Sequence, residues 1–227
     1  MSPLSQQQIQ ELIHIDSPTV ANAIEAFKVR DPTTGYASME LRCQYPHLPP
    51  MVGYAVTVTA DSTTAAPPQP SVRNELLAAL QSAPKPAVVV IKDVGPQRLR
   101  SCHAGDVLST LFPRLGAVGL GTDGGVRDLA GIAERAPGFQ VFAPGTVVSH
   151  GIPVFLEIGV TVNICGLTIR PGDLLHGDAD GLLVIPTGVA DRVAAQAQKV
   201  WDRESRIVDF VNSDDFSLEE LQTRLSH

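Results

Sequence analysis

The sequence has few charged residues and no long apolar run, and each shortage excludes a class of protein. Charged residues make up 18% of the 227 residues and hydrophobic residues 44%, which is too apolar a balance for a disordered chain. No segment approaches the ~20 consecutive apolar residues that a membrane-spanning helix needs. The N-terminal segment has no basic start followed by an apolar core, unlike a signal peptide. We expect a soluble, cytoplasmic protein with one domain over residues 1–227.

Cysteines and basic residues are also scarce. Cys43, Cys102 and Cys165 are odd in number and widely spaced, so neither a disulfide framework nor a structural zinc site is expected. The formal net charge is −7, and no run is rich in lysine or arginine. These features argue against a nucleic-acid-binding surface and against a polybasic membrane anchor.

Hydrophobic patterning predicts a mixed α/β domain with more than one sheet layer. Alternating or continuous apolar runs predict strands at 52–60, 87–91, 117–120, 139–143, 160–164, 167–169 and 182–185. Helical spacing predicts N-terminal helices within about 5–28, a short helix within 71–82, a helix after residue 106, one from about 126 to 135, and a C-terminal helix at about 189–211.

The densest polar signal is GAVGLGTDGGVRDL at 116–129. Its glycines at 119, 121 and 124 fit the G-x-G-x-x-G pattern of dinucleotide sites, between a predicted strand and a predicted helix. No acidic residue follows about twenty positions later, where a ribose-binding group belongs. We therefore treat a dinucleotide site as the weaker interpretation of this segment.

The Arg127-Asp128 pair in the same segment suggests different chemistry. We expect Thr122 or Asp123 to cap the following helix and the pair to lie in its first turn, where free N–H groups and the helix dipole favour anions. A guanidinium suits a carboxylate or an enolate, and a carboxylate suits magnesium or manganese. From the residues alone, an oxyacid-plus-metal site and a solvated surface ion pair are equally good interpretations.

A glycine–acid pair, Gly105-Asp106, precedes another predicted helix. If Asp106 is the N-cap, the amides of Val107 and Leu108 can face a bound carboxylate, whereas an isolated pair of this kind is usually only a cap. Twenty residues separate this aspartate from the Arg-Asp pair.

These motifs resemble the class II pyruvate aldolases of the family named after regulator of ribonuclease activity A, the RraA-like family. The similarity rests on the D-x20-R-D spacing, on DGGVRDL and on CGLTIRPGDLLHGDADGLLVIP at 165–186. VGYAVTVTA and ANAIEA resemble shorter motifs of the family, so the resemblance covers roughly residues 15–205. Enzyme members include 4-hydroxy-4-methyl-2-oxoglutarate and 4-carboxy-4-hydroxy-2-oxoadipate aldolases.

The resemblance implies a three-layer α/β/β swivelling fold of the phosphohistidine-domain type, assembled as homotrimers or homohexamers with active sites at subunit contacts. It implies a divalent ion, Mg²⁺ or Mn²⁺, held by Asp128 largely through one carboxylate and ordered waters. By the same resemblance, Arg127 binds the keto acid and stabilises its enolate. Asp106 positions a water on the metal for proton transfer.

Further roles follow only from the resemblance. Gly105 and the amides of Val107 and Leu108 would hold the substrate carboxylate. Asn74 matches the pocket asparagine of the family. Glu204 matches, more loosely, an acid that reaches the site of a neighbouring subunit.

Four positions depart from the family pattern and leave the substrate and the pocket shape open. Pro113 predicts a kink or an early end in the helix after Asp106. Arg73 stands where members often have aspartate, and Asn22 also replaces an aspartate. Cys102-His103-Ala104 replaces a segment that usually holds tryptophan, and His103 is close enough in sequence to touch substrate.

Other candidate chemistry is weak. The Asp-x-Asp-Gly segment at 178–181 resembles part of a calcium loop, but the remaining EF-hand ligands are missing, so we expect a tight turn there, as at Pro171-Gly172-Asp173. No G-x-S-x-G motif occurs, and Cys102 has no spaced histidine partner, which argues against nucleophilic catalysis.

The sequence therefore predicts a metal-dependent lyase that cleaves a 4-hydroxy-2-oxo diacid to pyruvate and a second oxoacid. Oxaloacetate decarboxylase activity is an expected companion, because it passes through the same enolate. Two alternatives stay open: a non-catalytic relative that binds and regulates a ribonuclease, and a metal-dependent enzyme acting on another oxoacid.

Overall fold

The computed structural model describes residues 3–65 and 70–225, and these contain seven α-helices and twelve strands. The helices are α1 (Gln6–Ile13), α2 (Ser17–Glu25), α3 (Arg73–Ser82), α4 (Asp106–Arg114), α5 (Leu129–Arg135), α6 (Val193–Val211) and α7 (Leu218–Leu225). The strands are β1 (Arg42–Cys43), β2 (Met51–Asp61), β3 (Ala87–Asp93), β4 (Cys102–Ala104), β5 (Ala117–Thr122), β6 (Gly125–Val126), β7 (Gln140–Ala143), β8 (Val154–Ile158), β9 (Val162–Ile164), β10 (Leu167–Ile169), β11 (Leu174–Asp178) and β12 (Gly181–Ile185).

Eight strands form the central sheet. Their order is β1-β7-β5-β3-β2-β11-β12, and β8 pairs with the second half of β2. The middle strands β2, β3, β5 and β7 run parallel, whereas the outer strands and β8 are antiparallel to their neighbours. Tyr36 bridges Leu183 of β12 at one edge, and the same segment continues into β1 at the other edge, so the sheet is nearly closed.

The strand β3 shows how the layers arise. Val89 and Ile91 point to one face and pack in the cluster that includes side chains of α3, α4 and α5. Val88 and Val90 point to the opposite face and pack in the cluster that contains the β9–β10 hairpin. Because both faces are covered, this strand is a continuous apolar run, as parallel inner strands usually are. The predicted mixed α/β domain, with helices on one face and a second β layer on the other, is confirmed.

The terminal helices pack together beside β11 and β12. Buried residues of α1, α2 and α6, including Leu12, Ile24 and Val193, share one apolar cluster with Leu174 and Ile185. The N-terminal prediction of 5–28 corresponds to α1 and α2. At the other end, α6 begins at residue 193, later than predicted, after a 3-10 turn at 190–192, and α7 was not predicted at all.

The two predicted acidic turns are present. The Asp178 carboxylate accepts the Asp180 N–H at 2.9 Å in the turn between β11 and β12, and its other oxygen accepts the Ser17 N–H at 2.7 Å. Gly172 has a φ of 82°, which the turn before β11 requires. The segment at 178–181 therefore forms a structural turn, and its Asp178 carboxylate is used in hydrogen bonds to the backbone. Among the residues described, no helix is both long and apolar enough to cross a bilayer.

Candidate active site

Two very short strands bring the predicted site residues together. β4 pairs in parallel with β6, and the Arg127 N–H donates to the Ala104 carbonyl at 3.0 Å. Gly105-Asp106 follows the first strand, and Arg127-Asp128 follows the second. The pairing therefore places the two motifs side by side, although twenty residues separate them in the chain.

Gly105 is the point of closest approach between the motifs. A Cβ atom on Gly105 would lie 2.9 Å from Asp128 Oδ2 and 3.2 Å from Arg127 Cγ. The backbone of Gly105 is extended, with φ −140° and ψ −166°, so any residue could adopt it. Glycine is needed here for space, because the Asp128 carboxylate lies against the start of α4.

Asp128 has an uncommon backbone conformation. Its φ of 59° and ψ of 36° lie in the left-handed region, which non-glycine residues visit rarely, although aspartate does so more often than most. It occupies the N-cap position of α5, but its side chain caps no N–H group. Instead Oδ2 lies 3.2 Å from Arg127 Nε, and 41% of the Asp128 side chain is exposed. The carboxylate is therefore open to a ligand.

The start of α4 differs from the prediction that Asp106 is its N-cap. Gly105 is the N-cap, and Asp106 is the first helical residue. The Asp106 carboxylate turns towards α5 and forms an ion pair with Arg135, so it cannot cap its own helix. As a result the N–H groups of Val107 and Leu108 have no acceptor within residues 3–65 and 70–225.

The helix after the glycine-rich segment also begins later than predicted. The sequence predicts a cap at Thr122 or Asp123, but α5 begins at Leu129. The cap prediction is wrong because both side chains bond elsewhere: Thr122 Oγ1 accepts the Gly124 N–H, and Asp123 Oδ1 accepts the Asp93 N–H at 2.8 Å. Gly119 and Gly121 of the G-x-G-x-x-G pattern lie within β5, and Gly124 precedes β6, so these glycines do not form a loop between a strand and a helix.

One cavity of about 260 Å³ collects most of the predicted site residues. It is lined by the predicted residues Gly105, Asp106, Val107, Leu108 and Arg127, and by Arg73, Cys102, His103, Ala104, His150, Pro153 and Phe155.

Helix α4 ends one residue after Pro113, in agreement with the early end that this proline predicts.

Two predicted residues lie elsewhere in the protomer. Asn74 is exposed and is not among the cavity-lining residues; its neighbour Arg73 is. Glu204 lies in a separate groove beside α2 and α6, where it accepts a hydrogen bond of 3.4 Å from Asn22. The sequence analysis named Arg73 only as a departure from the family pattern and did not predict it in the pocket. That departure is the sequence signal that could have identified it.

A buried polar layer supports the cavity. His103 Nε2 lies 2.7 Å from Asp93 Oδ2, and each side chain is only 1% exposed. The Asp123 carboxylate bonds both the Asp93 N–H and the Lys92 ammonium. Gly124 covers the imidazole so closely that a Cβ there would lie 2.7 Å from His103 Nε2. His103 thus lies at the cavity, as predicted, but its Nε2 is already bound to a carboxylate.

Cys102 is not a nucleophile in this environment. Burial raises the pKa of its thiol above the usual value, with the nearby Arg127 acting in the opposite direction. A neutral, buried thiol is unreactive. This agrees with the sequence-based argument against nucleophilic catalysis.

No cluster of three or more histidine, cysteine or acidic residues that could hold a metal occurs in the described part of the chain. Asp128 is the exposed carboxylate beside the cavity, next to Arg127 and the free N–H groups of α4. Magnesium usually binds through one or two carboxylates and completes its coordination with water and substrate oxygens. The donor set therefore fits a hydrated divalent ion bound through Asp128.

Comparison with known proteins finds a similar curated sequence. A "Putative 4-hydroxy-4-methyl-2-oxoglutarate aldolase" of Halalkalibacterium halodurans is 36% identical over 115 residues, 50% of this chain and 53% of that protein. The chain spans about half the length of the curated relatives it matches.

Two solved structures share the fold. An uncharacterized protein from Pseudomonas syringae pv. tomato has a TM-score of 0.74 at 23% identity, covering 98% of this chain and 95% of that one. Streptomyces coelicolor RraAS2, described as an unusual member of the RNase ES inhibitor RraA protein family, has a TM-score of 0.66 at 24% identity, covering 91% and 98%. The family described as Aldolase/RraA matches residues 18–184. This match includes every cavity-lining residue, and the chain therefore belongs to the RraA-like family.

Proposed function

We propose that the chain is a divalent-metal-dependent pyruvate aldolase that cleaves 4-hydroxy-2-oxo diacids, such as 4-hydroxy-4-methyl-2-oxoglutarate, to pyruvate and a second oxoacid. One observation carries the proposal: Arg127 and Asp128 pack against Gly105 at the uncapped start of α4, next to Asp106. The aldolase name of the Halalkalibacterium relative supports the same reaction class.

The metal would be held by Asp128, whose carboxylate is engaged only by Arg127 and is partly exposed. When bound, a divalent ion supplies a Lewis acid for the keto oxygen and the developing enolate. One carboxylate makes a weak site, so we expect activity to depend on added magnesium or manganese.

Arg127 and the start of α4 would bind the pyruvyl end of the substrate. The free N–H groups of Val107 and Leu108 suit its carboxylate, because helix N-termini bind anions. The Arg127 guanidinium would lie at the keto oxygen and stabilise the negative charge that forms there. Losing a fixed donor at such an oxygen typically costs about 3 kcal/mol of transition-state stabilisation.

Asp106 would take part in proton transfer. The Asp106 carboxylate, which is paired with Arg135, would accept the proton of the 4-hydroxyl group through a water molecule. The C4–O bond then becomes a carbonyl, the C3–C4 bond breaks, and its electron pair forms the pyruvate enolate. Protonation at C3 completes pyruvate. Loss of CO₂ from oxaloacetate gives the same enolate, so oxaloacetate decarboxylase activity is part of the proposal.

Pyruvate release from 4-hydroxy-4-methyl-2-oxoglutarate and from oxaloacetate tests the proposal. We expect activity to vanish in chelator and to return with excess Mg²⁺ or Mn²⁺. Arg127→Ala and Asp128→Ala should each lower kcat/KM by about 100-fold or more, with an unchanged circular dichroism spectrum. The control is Asp209→Ala, which removes an exposed acid on α6. Full activity of the wild type in chelator would refute the metal dependence.

A regulatory role is the second candidate. It is favoured by the description of Streptomyces coelicolor RraAS2 as belonging to an RNase inhibitor family, and by the formal net charge of −7, which suits a basic partner. Specific binding to a ribonuclease, together with no metal-dependent pyruvate release, would favour this role over the aldolase.

The proposal includes a homotrimer or homohexamer and a cytoplasmic location. In the protomer, Glu204 lies in its own groove and does not line the cavity. Its proposed part in catalysis therefore requires that it enter the cavity of a neighbouring subunit.

A further inference from the structure

We propose that Arg73 binds the distal carboxylate of the substrate and makes the cavity selective for dicarboxylic over monocarboxylic oxoacids. The reaction part of this inference rests on the proposed function. The binding part does not, because it concerns only the charge and shape of the cavity.

The first argument is the balance of charge around the cavity. Two guanidinium groups line it, those of Arg73 and Arg127, and the one carboxylate among the described lining residues is that of Asp106. That carboxylate is already paired with Arg135, which lies outside the cavity lining. Arg127 is likewise paired with Asp128 beside the cavity, so the uncompensated positive charge at the cavity is that of Arg73, although the chain as a whole is acidic.

The second argument is that the two arginines differ in their partners. Arg127 has a carboxylate neighbour in Asp128 at 3.2 Å. Arg73 has no ion pair, no side-chain hydrogen bond and no cation–π contact with any residue of the described ranges. A planar guanidinium without a partner, placed at a cavity, is suited to bind a carboxylate through two parallel N–H···O bonds.

The third argument is the position of Arg73 in the fold. It is the first residue of α3, a ten-residue helix whose N-cap Val72 provides no side-chain cap. The Val72 N–H donates to the Phe155 carbonyl of β8 at 2.9 Å, which fixes this helix start at the cavity wall. The partial positive charge of the helix start is opposed by Glu75 in the first turn, so the proposed binding depends on the Arg73 guanidinium itself. This guanidinium comes from a different element than the free N–H groups of α4.

The shape of the cavity is consistent with a short dicarboxylic acid. Leu108, Pro153 and Phe155 provide apolar surface that suits the carbon chain of a ligand. A volume of about 260 Å³ is at the small end for ligand sites, which suits a small oxoacid.

A matched pair of substrates tests the inference in turnover. 4-Hydroxy-2-oxoglutarate and 4-hydroxy-2-oxopentanoate undergo the same bond cleavage and differ in the distal carboxylate. In Arg73→Gln we expect KM for the diacid to rise about 10- to 100-fold, because a charge-assisted pair is lost. KM for the monoacid and both kcat values should stay within about twofold, since Arg73 does not contact the reacting bond. An unchanged ratio of the two KM values would overturn the inference.

The control variant is Arg114→Gln, which removes an exposed arginine at the opposite end of α4 and changes the net charge by the same amount. It should leave both KM values unchanged. If it raised KM for the diacid as much as Arg73→Gln does, general electrostatic attraction would explain the effect and the inference would be wrong.

Binding of acids that cannot be cleaved separates this inference from the proposed function. 2-Oxoglutarate and 2-oxopentanoate lack the 4-hydroxyl group, and calorimetry with magnesium present measures their affinities. We expect the wild type to bind the diacid about 10-fold or more tightly than the monoacid, and Arg73→Gln to lose that preference. If the wild type cleaves no oxoacid but shows this preference, the proposed function fails and the inference stands. Equal affinities in the wild type, or a preference kept in Arg73→Gln, would overturn it.

Discussion

Two groups of polar side chains at the cavity differ in how they are paired: the buried polar layer around Asp93 and His103, and the open corner formed by Arg73, Arg127 and Asp128. In the layer, Asp93 and His103 are paired with each other and almost completely shielded from water. In the corner, Arg127 and Asp128 form a longer and partly exposed contact, and Arg73 has no partner in the described ranges. A buried polar group needs a hydrogen-bond partner to be tolerated, whereas an exposed ion pair contributes little and can exchange its partner for a ligand. The layer therefore supports the fold, and the corner is available for binding.

The largest expected effect comes from breaking the buried pair. His103→Ala leaves the buried Asp93 carboxyl group without this hydrogen-bond partner, and we expect the free energy of unfolding to fall by about 1–3 kcal/mol. Urea denaturation followed by circular dichroism measures this. His14→Ala, at an exposed histidine, should change stability by less than about 0.5 kcal/mol. In the double variant Asp93→Ala/His103→Ala the loss should be smaller than the sum of the single losses; additive losses would contradict the pairing.

Substitutions at the open corner should lower activity more than they lower the free energy of unfolding. Gly105→Ala places a methyl group 2.9 Å from Asp128 Oδ2 in the present geometry, so the carboxylate has to move. We expect magnesium-dependent pyruvate release to fall at least about 10-fold, while the unfolding free energy changes by only about 1 kcal/mol. Gly188→Ala is the control, because a Cβ there meets no atom within 4 Å. Unchanged activity in Gly105→Ala would show that the position of Asp128 is unimportant.

The smallest expected effect concerns a buried polar group far from the cavity. His176 is fully buried, with its ring nitrogens at 2.9 Å from Ser17 Oγ and 3.1 Å from the Leu12 carbonyl. Burial lowers its pKa below the ordinary value of about 6.5, although Asp178 and Asp16 act in the opposite direction. The unfolded chain therefore takes up a proton near pH 6.5 that the folded chain binds only at lower pH.

The free energy of unfolding should consequently fall as the pH drops below about 6.5, with a contribution from His176 of at most about 1.4 kcal/mol per pH unit. Urea titrations between about pH 7.5 and pH 5.5, on the wild type and on His176→Gln, isolate this contribution as the difference between the two slopes. Equal slopes would mean that His176 is protonated to the same extent in the folded and unfolded chains.

The sequence predicted the parts of this fold that have a clear period or a long apolar run. The strands β2, β3, β5 and β7 fall within or close to their predicted ranges, because inner strands of a covered sheet are rich in apolar residues. It did not predict β1, β4, β6, β8 or β11. Of these, β1, β4 and β6 have only two or three residues. Such strands are too short to show any period, and only pairing across the chain defines them.

The candidate site was also predictable only in part. The spacing of Asp106 from Arg127-Asp128, together with the resemblance, selected residues that the structure brings to one corner. The sequence contains no sign of the contact between Asp93 and His103, because it forms only when β3 and β4 are folded next to each other. The assignment of Asn74 to the pocket stays a prediction, since Arg73 is the residue of that segment that lines the cavity.

The left-handed backbone of Asp128 has a consequence for how this protein can change. Glycine would adopt that conformation at less cost, so a change to glycine would relax the backbone while removing the negative charge. Selection for robustness alone would favour such replacements. An aspartate kept at this position in a descendant protein would thus indicate selection for catalytic activity. Its loss would indicate a protein that had gained stability at the expense of that activity.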